Sequence, residues 1–135
     1  MDITHLGHSS FKIKGKNATL VTDPFSPEGT GLKFPKTESE IVTVSHQHGD
    51  HNCVEAGNWK LETGTLIISG PGEYESKGVK ILGISSFHDD EKGAKRGKNT
   101  IFKITMDGIN ICHLGDLGHK LEAVQVDFLD GVDIL

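Results

Sequence analysis

A chain of 135 residues supports one domain at most, and a formal net charge of −5 argues against a nucleic-acid partner, which calls for a concentrated basic face. The N-terminus, Met1-Asp2-Ile3-Thr4-His5, has neither a basic start nor a long apolar core, and no stretch reaches the length of a bilayer span; a cytoplasmic protein without membrane contact is expected. Hydrophobic residues at 35% and glycine at 17 point to short strands joined by tight turns, a β-rich architecture.

In chain order, strands are predicted at about 2–7, 10–14 and 18–22. Phe11-Lys12-Ile13-Lys14 alternates, Gly15-Lys16-Asn17 makes a hairpin turn, and Thr22-Asp23-Pro24 ends its strand because proline cannot continue a ladder. Ser26 to Lys36, rich in glycine and proline, reads as a loop, either a rim of a site or a connector. Further strands are predicted at 41–45, 65–69, 79–87, 100–106 and 109–113, with a helix at about 119–129. Gly70-Pro71-Gly72-Glu73 reads as a tight turn, structural or offering backbone N–H groups to a substrate oxygen.

The densest chemistry lies in His46-Gln47-His48-Gly49-Asp50-His51, directly after the β-branched run Ile41-Val42-Thr43-Val44-Ser45. Imidazole and carboxylate suit zinc, with iron, manganese or nickel as other occupants. His46 and His48 project the same way from an extended chain, whereas Gly49 permits a change of direction before Asp50 and His51, so the two pairs can serve neighbouring ions. His88 follows a predicted strand, as a ligand at a strand end would. Asp116, in His113-Leu114-Gly115-Asp116-Leu117-Gly118-His119, has two oxygens able to bridge two ions. For His113 a hydrogen-bonded structural role and ligation are both open; His119 reads as solvent-facing or at a helix entry. Asp23, at a strand end, suits a carboxylate that accepts a hydrogen bond from a ligand histidine. Cys53 and Cys112 lack a C-x-x-C partner and read as reduced thiols, Cys53 being an outlying ligand candidate. Lys92, Lys95, Arg96 and Lys98 form a mobile-looking basic loop after His88, able to hold an anionic substrate group or merely solvated.

These residues resemble the metallo-β-lactamase fold hydrolases, whose signature is H-x-H-x-D-H followed by a distant His, an Asp and a final His. The similarity extends to the branch of metal-dependent hydrolases related to ascorbate-phosphate lactonases, through Ile3-Thr4-His5-Leu6-Gly7-His8-Ser9-Ser10-Phe11, Thr22-Asp23-Pro24-Phe25, Gly70-Pro71-Gly72-Glu73-Tyr74-Glu75 and His113-Leu114-Gly115-Asp116. The resemblance implies an α+β fold, an αββα sandwich. It implies His46, His48 and His88 on a first ion and Asp50 and His51 on a second, with Asp116 bridging. His8, Asp23 and His113 would support the ligands. The family's last histidine has no counterpart after His119. The chain is therefore expected to be a single but incomplete domain, the N-terminal part of the fold, completed by more chain or by a second copy in a homo-oligomer.

The chemistry expected is metal-assisted hydrolysis of a small-molecule ester, lactone or phosphodiester: water on the cation loses a proton near neutral pH and the hydroxide attacks, oriented by Asp50 or Asp116. The contrasting expectation is an inactive metal-binding half-fold that self-associates, its ligands holding structure.

Overall fold

A computed structural model describes residues 1–59 and 64–135. Two sheets face each other. The first has strand order β1-β2-β3-β4-β5, comprising Asp2–Gly7, Ser10–Lys14, Thr19–Thr22, Ile41–Thr43 and Leu66–Ile68. Its first three strands are antiparallel, and β3, β4 and β5 run parallel. The second sheet is an antiparallel meander of β6 (Gly72–Ser76), β7 (Val79–Phe87), β8 (Lys98–Met106) and β9 (Ile109–His113).

The sandwich follows from alternation. Ile13, Leu20, Ile41 and Ile68 from the first sheet meet Val79, Ile81, Phe102, Ile104, Met106 and Ile111 from the second in one buried cluster. Val21, one residue out of phase with Leu20, faces the opposite side of its sheet, where Phe25 and Phe34 cover it. Because both faces are covered, β4 is buried at every residue, Ile41, Val42 and Thr43 alike, rather than on alternate ones.

Two parallel crossovers place the chemistry. Thr22-Asp23-Pro24 leaves the carboxyl end of β3, and the connection to β4 contains a short helix, α1 (Pro27–Thr30), capped by Ser26 Oγ accepting from Gly29 N–H at 3.1 Å. The histidine-rich turn leaves the carboxyl end of β4, the end at which parallel sheets present their binding residues. The two sheets are joined there by Thr100 N–H donating to the Ser45 carbonyl at 2.8 Å.

Some boundaries differ from expectation. The predicted helix at 119–129 shortens to α2 (Ala123–Phe128), since His119 is occupied elsewhere: its Nε2 accepts from Phe87 N–H at 3.1 Å and its Nδ1–H donates to the Lys120 carbonyl at 2.7 Å. His119 thus stands at the end of β7, neither at the entry of α2 nor turned to solvent. α2 is tied to the second sheet by Gln125 Nε2 donating to the Ser85 carbonyl and Lys103 Nζ donating to the Phe128 and Asp130 carbonyls. Strand β6 has no counterpart among the predicted elements. Ile134 forms a lone parallel bridge to Ile111.

Candidate metal centre

The predicted ligands converge where the two sheets meet. His46, buried at the end of β4, lies in an imidazole triangle with His48 and His88, with ring centroids 4.8, 5.0 and 5.2 Å apart. His88 reaches the triangle from the end of β7. Beside it, His8, Asp50 and His51 make a second set, and within each set one donor atom per residue lies within 4.8 Å of the others.

Asp116 stands between the two sets. Its Oδ2 is 3.2 Å from His88 Nε2 and 3.9 Å from His46 Nε2, and its Oδ1 is 3.4 Å from His51 Nε2. Asn99 positions this loop, its Oδ1 accepting Asp116 N–H at 3.1 Å and its amide donating to Ser86 Oγ and the Leu114 carbonyl.

A buried relay sets the tautomers of His46 and His51. Asp23 is fully buried and accepts from Ser45 N–H at 2.7 Å, Ser45 Oγ–H at 2.6 Å and His51 Nδ1–H at 2.9 Å. Since the Ser45 hydroxyl proton points at Asp23, His46 Nδ1–H donates to Ser45 Oγ at 2.9 Å. His46 Nε2 is then a lone pair, and it is buried without a hydrogen-bond partner among the described residues. His51 Nε2 faces Asp116 and, in the neutral ring, is likewise a lone pair. An unpartnered buried nitrogen of this kind, aimed at two further imidazoles and a carboxylate, fits a cation of the zinc class.

The electrostatics agree with that tautomer of His46. Burial and the neighbouring His51 charge hold its pKa down at about 4, so it is neutral at pH 7. Burial alone would also lower His51, but the Asp23 hydrogen bond and the charges of Asp23, Asp116 and Asp50 outweigh it and raise the pKa; a cation held at Nε2 would displace that proton. Asp23 stays ionised despite burial because His51 and Ser45 donate to it.

His113, left open by the sequence, has both nitrogens engaged: Nδ1 accepts from Gly115 N–H at 3.0 Å and Nε2–H donates to the Ser9 carbonyl at 3.1 Å. It has no lone pair for a metal. Cys53 does not belong to any of the donor groups. His8, expected as a support, brings Nε2 to 3.2 Å from Asp50 Oδ2 and 3.1 Å from His51 Nε2. Sequence reasoning missed Ser45 and Asn99, whose contacts are set by tertiary packing; only the polarity of Ser45, placed between an apolar strand and the first histidine, marked it out.

The basic loop is pinned rather than mobile-looking. Asp89 accepts four backbone N–H groups, from Glu91, Gly93, Lys95 and Arg96, at 2.7–2.9 Å. Those donors, Arg96 N–H foremost, hold its pKa at about 2. The ionised carboxylate therefore orders the loop above its ordinary pKa of 3.8, and this contribution fades as pH falls toward about 2. Asp89→Asn is expected to speed hydrogen exchange at Arg96 and Lys95 by at least about tenfold. Unchanged exchange would mean that something else orders the loop. Arg96 borders two clefts, of about 750 Å³ beside His88 and Asp116 and about 390 Å³ beside His46 and His48.

Gly118 packs against the His88 backbone so closely that a Cβ would overlap the His88 carbonyl group. Gly118→Ala should cost about 1–3 kcal/mol, read as a lower urea midpoint, and displace His88 from the triangle.

A family model described as the beta-lactamase superfamily domain matches residues 2–135. The chain belongs to this superfamily. Its two-sheet architecture is that of the metallo-β-lactamase fold: a protein of Thermotoga maritima, described as belonging to the metallo-beta-lactamase superfamily, superposes with a TM-score of 0.72 and 38% identity, covering 98% of this chain and 58% of that one. Among curated superfamily relatives, proteins named metal-dependent hydrolases from Methanoculleus marisnigri and Methanoregula boonei are each 32% identical, over 86% and 87% of this chain and 58% and 60% of their own lengths. The chain thus spans about three fifths of the relatives it matches. Among its described residues no helix is long and apolar enough to cross a membrane.

Proposed function

We propose that the chain is the metal-bearing part of a hydrolase domain that uses zinc, at one or two positions, to cleave a small ester, lactone or phosphodiester carrying an anionic group. The observation that supports this best is Asp116, whose two oxygens are divided between two donor sets, one of which holds the unpartnered His46 Nε2. The zinc named in the description of the Thermotoga maritima protein agrees with the imidazole-rich donors.

His46, His48 and His88 would hold the first ion, and Asp50 and His51 the second, with Asp116 between them. A bound divalent cation lowers the pKa of water toward neutrality and stabilises the charge that develops on the substrate. Asp50 keeps its carboxyl ionised: burial opposes ionisation, but a backbone hydrogen bond and the adjacent His51 and His8 charges prevail. With Oδ2 turned toward His8 and His51, Asp50 Oδ1 would be the oxygen that orients the attacking water and takes its proton. Asp116, whose oxygens reach both donor sets, would help orient the same water. Arg96 anchors the anionic group, since Lys95 Nζ is paired with Glu91 at 2.6 Å whereas Arg96 fronts both clefts. The free thiols Cys53 and Cys112 suit the cytoplasm, where we place the protein.

The test is elemental analysis of tag-free protein loaded with zinc, followed by assay on lactones and phosphodiesters. Two equivalents per chain are expected, with turnover that chelation abolishes and added zinc restores. Less than one equivalent after loading would overturn the reading, and full loading without turnover would favour a metal-binding part that does no chemistry alone.

A further inference from the structure

We infer that His8 is a metal ligand, the third protein donor of the second ion, alongside His51 Nε2 and Asp50 Oδ2. The inference rests on the metal reading above and departs from the pattern the resemblance implies, in which a histidine distant in sequence completes that position.

The argument is one of edge lengths. Donors at about 2.0–2.1 Å from a tetrahedral zinc lie about 3.3–3.4 Å from one another. The triangle His8 Nε2, Asp50 Oδ2, His51 Nε2 has edges of 3.1, 3.2 and 3.8 Å, and Asp116 Oδ1 lies 3.4 Å from His51 Nε2. These separations bracket the tetrahedral value. With its Nδ1–H committed to Asp23, the neutral His51 ring offers its Nε2 lone pair, so His8 Nε2 then faces an acceptor nitrogen and a carboxylate at once. A single imidazole proton serves only one of them at a time; a cation serves both.

The approach of His8 is built into the fold. The β1–β2 turn places Gly7 and His8 in left-handed conformations, at φ 120° and 50°. A Cβ on Gly7 would lie 3.1 Å from the Phe25 ring. The turn is braced by His5 Nε2–H donating to the His8 carbonyl at 2.8 Å, while the Phe25 ring meets the His8 imidazole edge-on with centroids 6.3 Å apart. The imidazole is therefore delivered to the donor set by backbone geometry rather than by a flexible side chain alone.

The experiment is NMR of the chain labelled with 15N-histidine and loaded with 113Cd. A one-bond 113Cd–15N coupling is expected at His8 Nε2, to the same cadmium resonance that couples to His51 Nε2. His8→Gln should weaken the second equivalent at least about 100-fold, beyond the 10–100-fold loss usual for a residue that only hydrogen-bonds a ligand. Coupling at His46, His48 and His51 with none at His8 overturns the inference and leaves the hydrolase reading standing, with His8 a hydrogen-bond donor to Asp50. Coupling at none of the histidines overturns both.

Discussion

Asp116→Ala is expected to reduce hydrolysis by about 10³-fold or more and to weaken cation binding at both positions together. Asp116 serves both donor sets: one oxygen faces His88 and His46, the other His51. The fold should survive, because the loop is held by backbone contacts, Asp116 N–H to Asn99 and Gly115 N–H to His113, which alanine retains. Metal content by elemental analysis and kcat on the same preparation check this. A variant that loses one equivalent and keeps the other tightly bound would show that Asp116 is not shared. Asp116→Asn, which keeps the shape and removes the charge, should lie between the two.

Asp23→Ala carries the largest expected stability cost, about 3–5 kcal/mol, seen as a fall in Tm on the order of 10 °C. The carboxylate is fully buried and is the common acceptor for Ser45 N–H, Ser45 Oγ–H and His51 Nδ1–H. Removing it strands those donors in the interior, where each unmet group costs more than a surface contact contributes. It also frees the His51 ring to rotate or change tautomer, so metal affinity should fall with stability. A loss below about 1 kcal/mol in calorimetry would mean that water or another side chain replaces the carboxylate at little cost. Asp23→Asn leaves a polar group in place, but its amide cannot accept all three protons, so a cost smaller than that of alanine is expected.

The ligand turn was legible because its information is local. His46, His48, Asp50 and His51 follow a β-branched strand, and Gly49 separates the two pairs. The β2–β3 hairpin was legible for the same reason: Gly15 N–H closes it on the Ala18 carbonyl at 2.9 Å. Strand β6 was not, because Gly72-Glu73-Tyr74-Glu75-Ser76 offers one large apolar side chain to the core and turns its glutamates outward, the composition of a protected edge rather than of a core strand. The length of α2 was misjudged because the contact of His119 with Phe87 spans 32 residues. His8 is the most instructive case. It stands 38 positions before His46, and only the strained β1–β2 turn carries it to His51.

The donors come from both sides of the sandwich: His8, His46, His48, Asp50 and His51 hang from the ends of strands in one sheet, His88 and Asp116 from those in the other. Their spacing is therefore a gauge of how the sheets sit on one another. Ile41, Ile81, Phe102 and Ile104, packed in the buried cluster between the sheets, set the separation of the two layers. A sliding of the layers by about half an ångström, too small to unfold anything, would lengthen some donor separations and shorten others. Core sequence and metal preference are then coupled quantities, and relatives that differ only in the volume of these apolar side chains should differ in which cation they hold best.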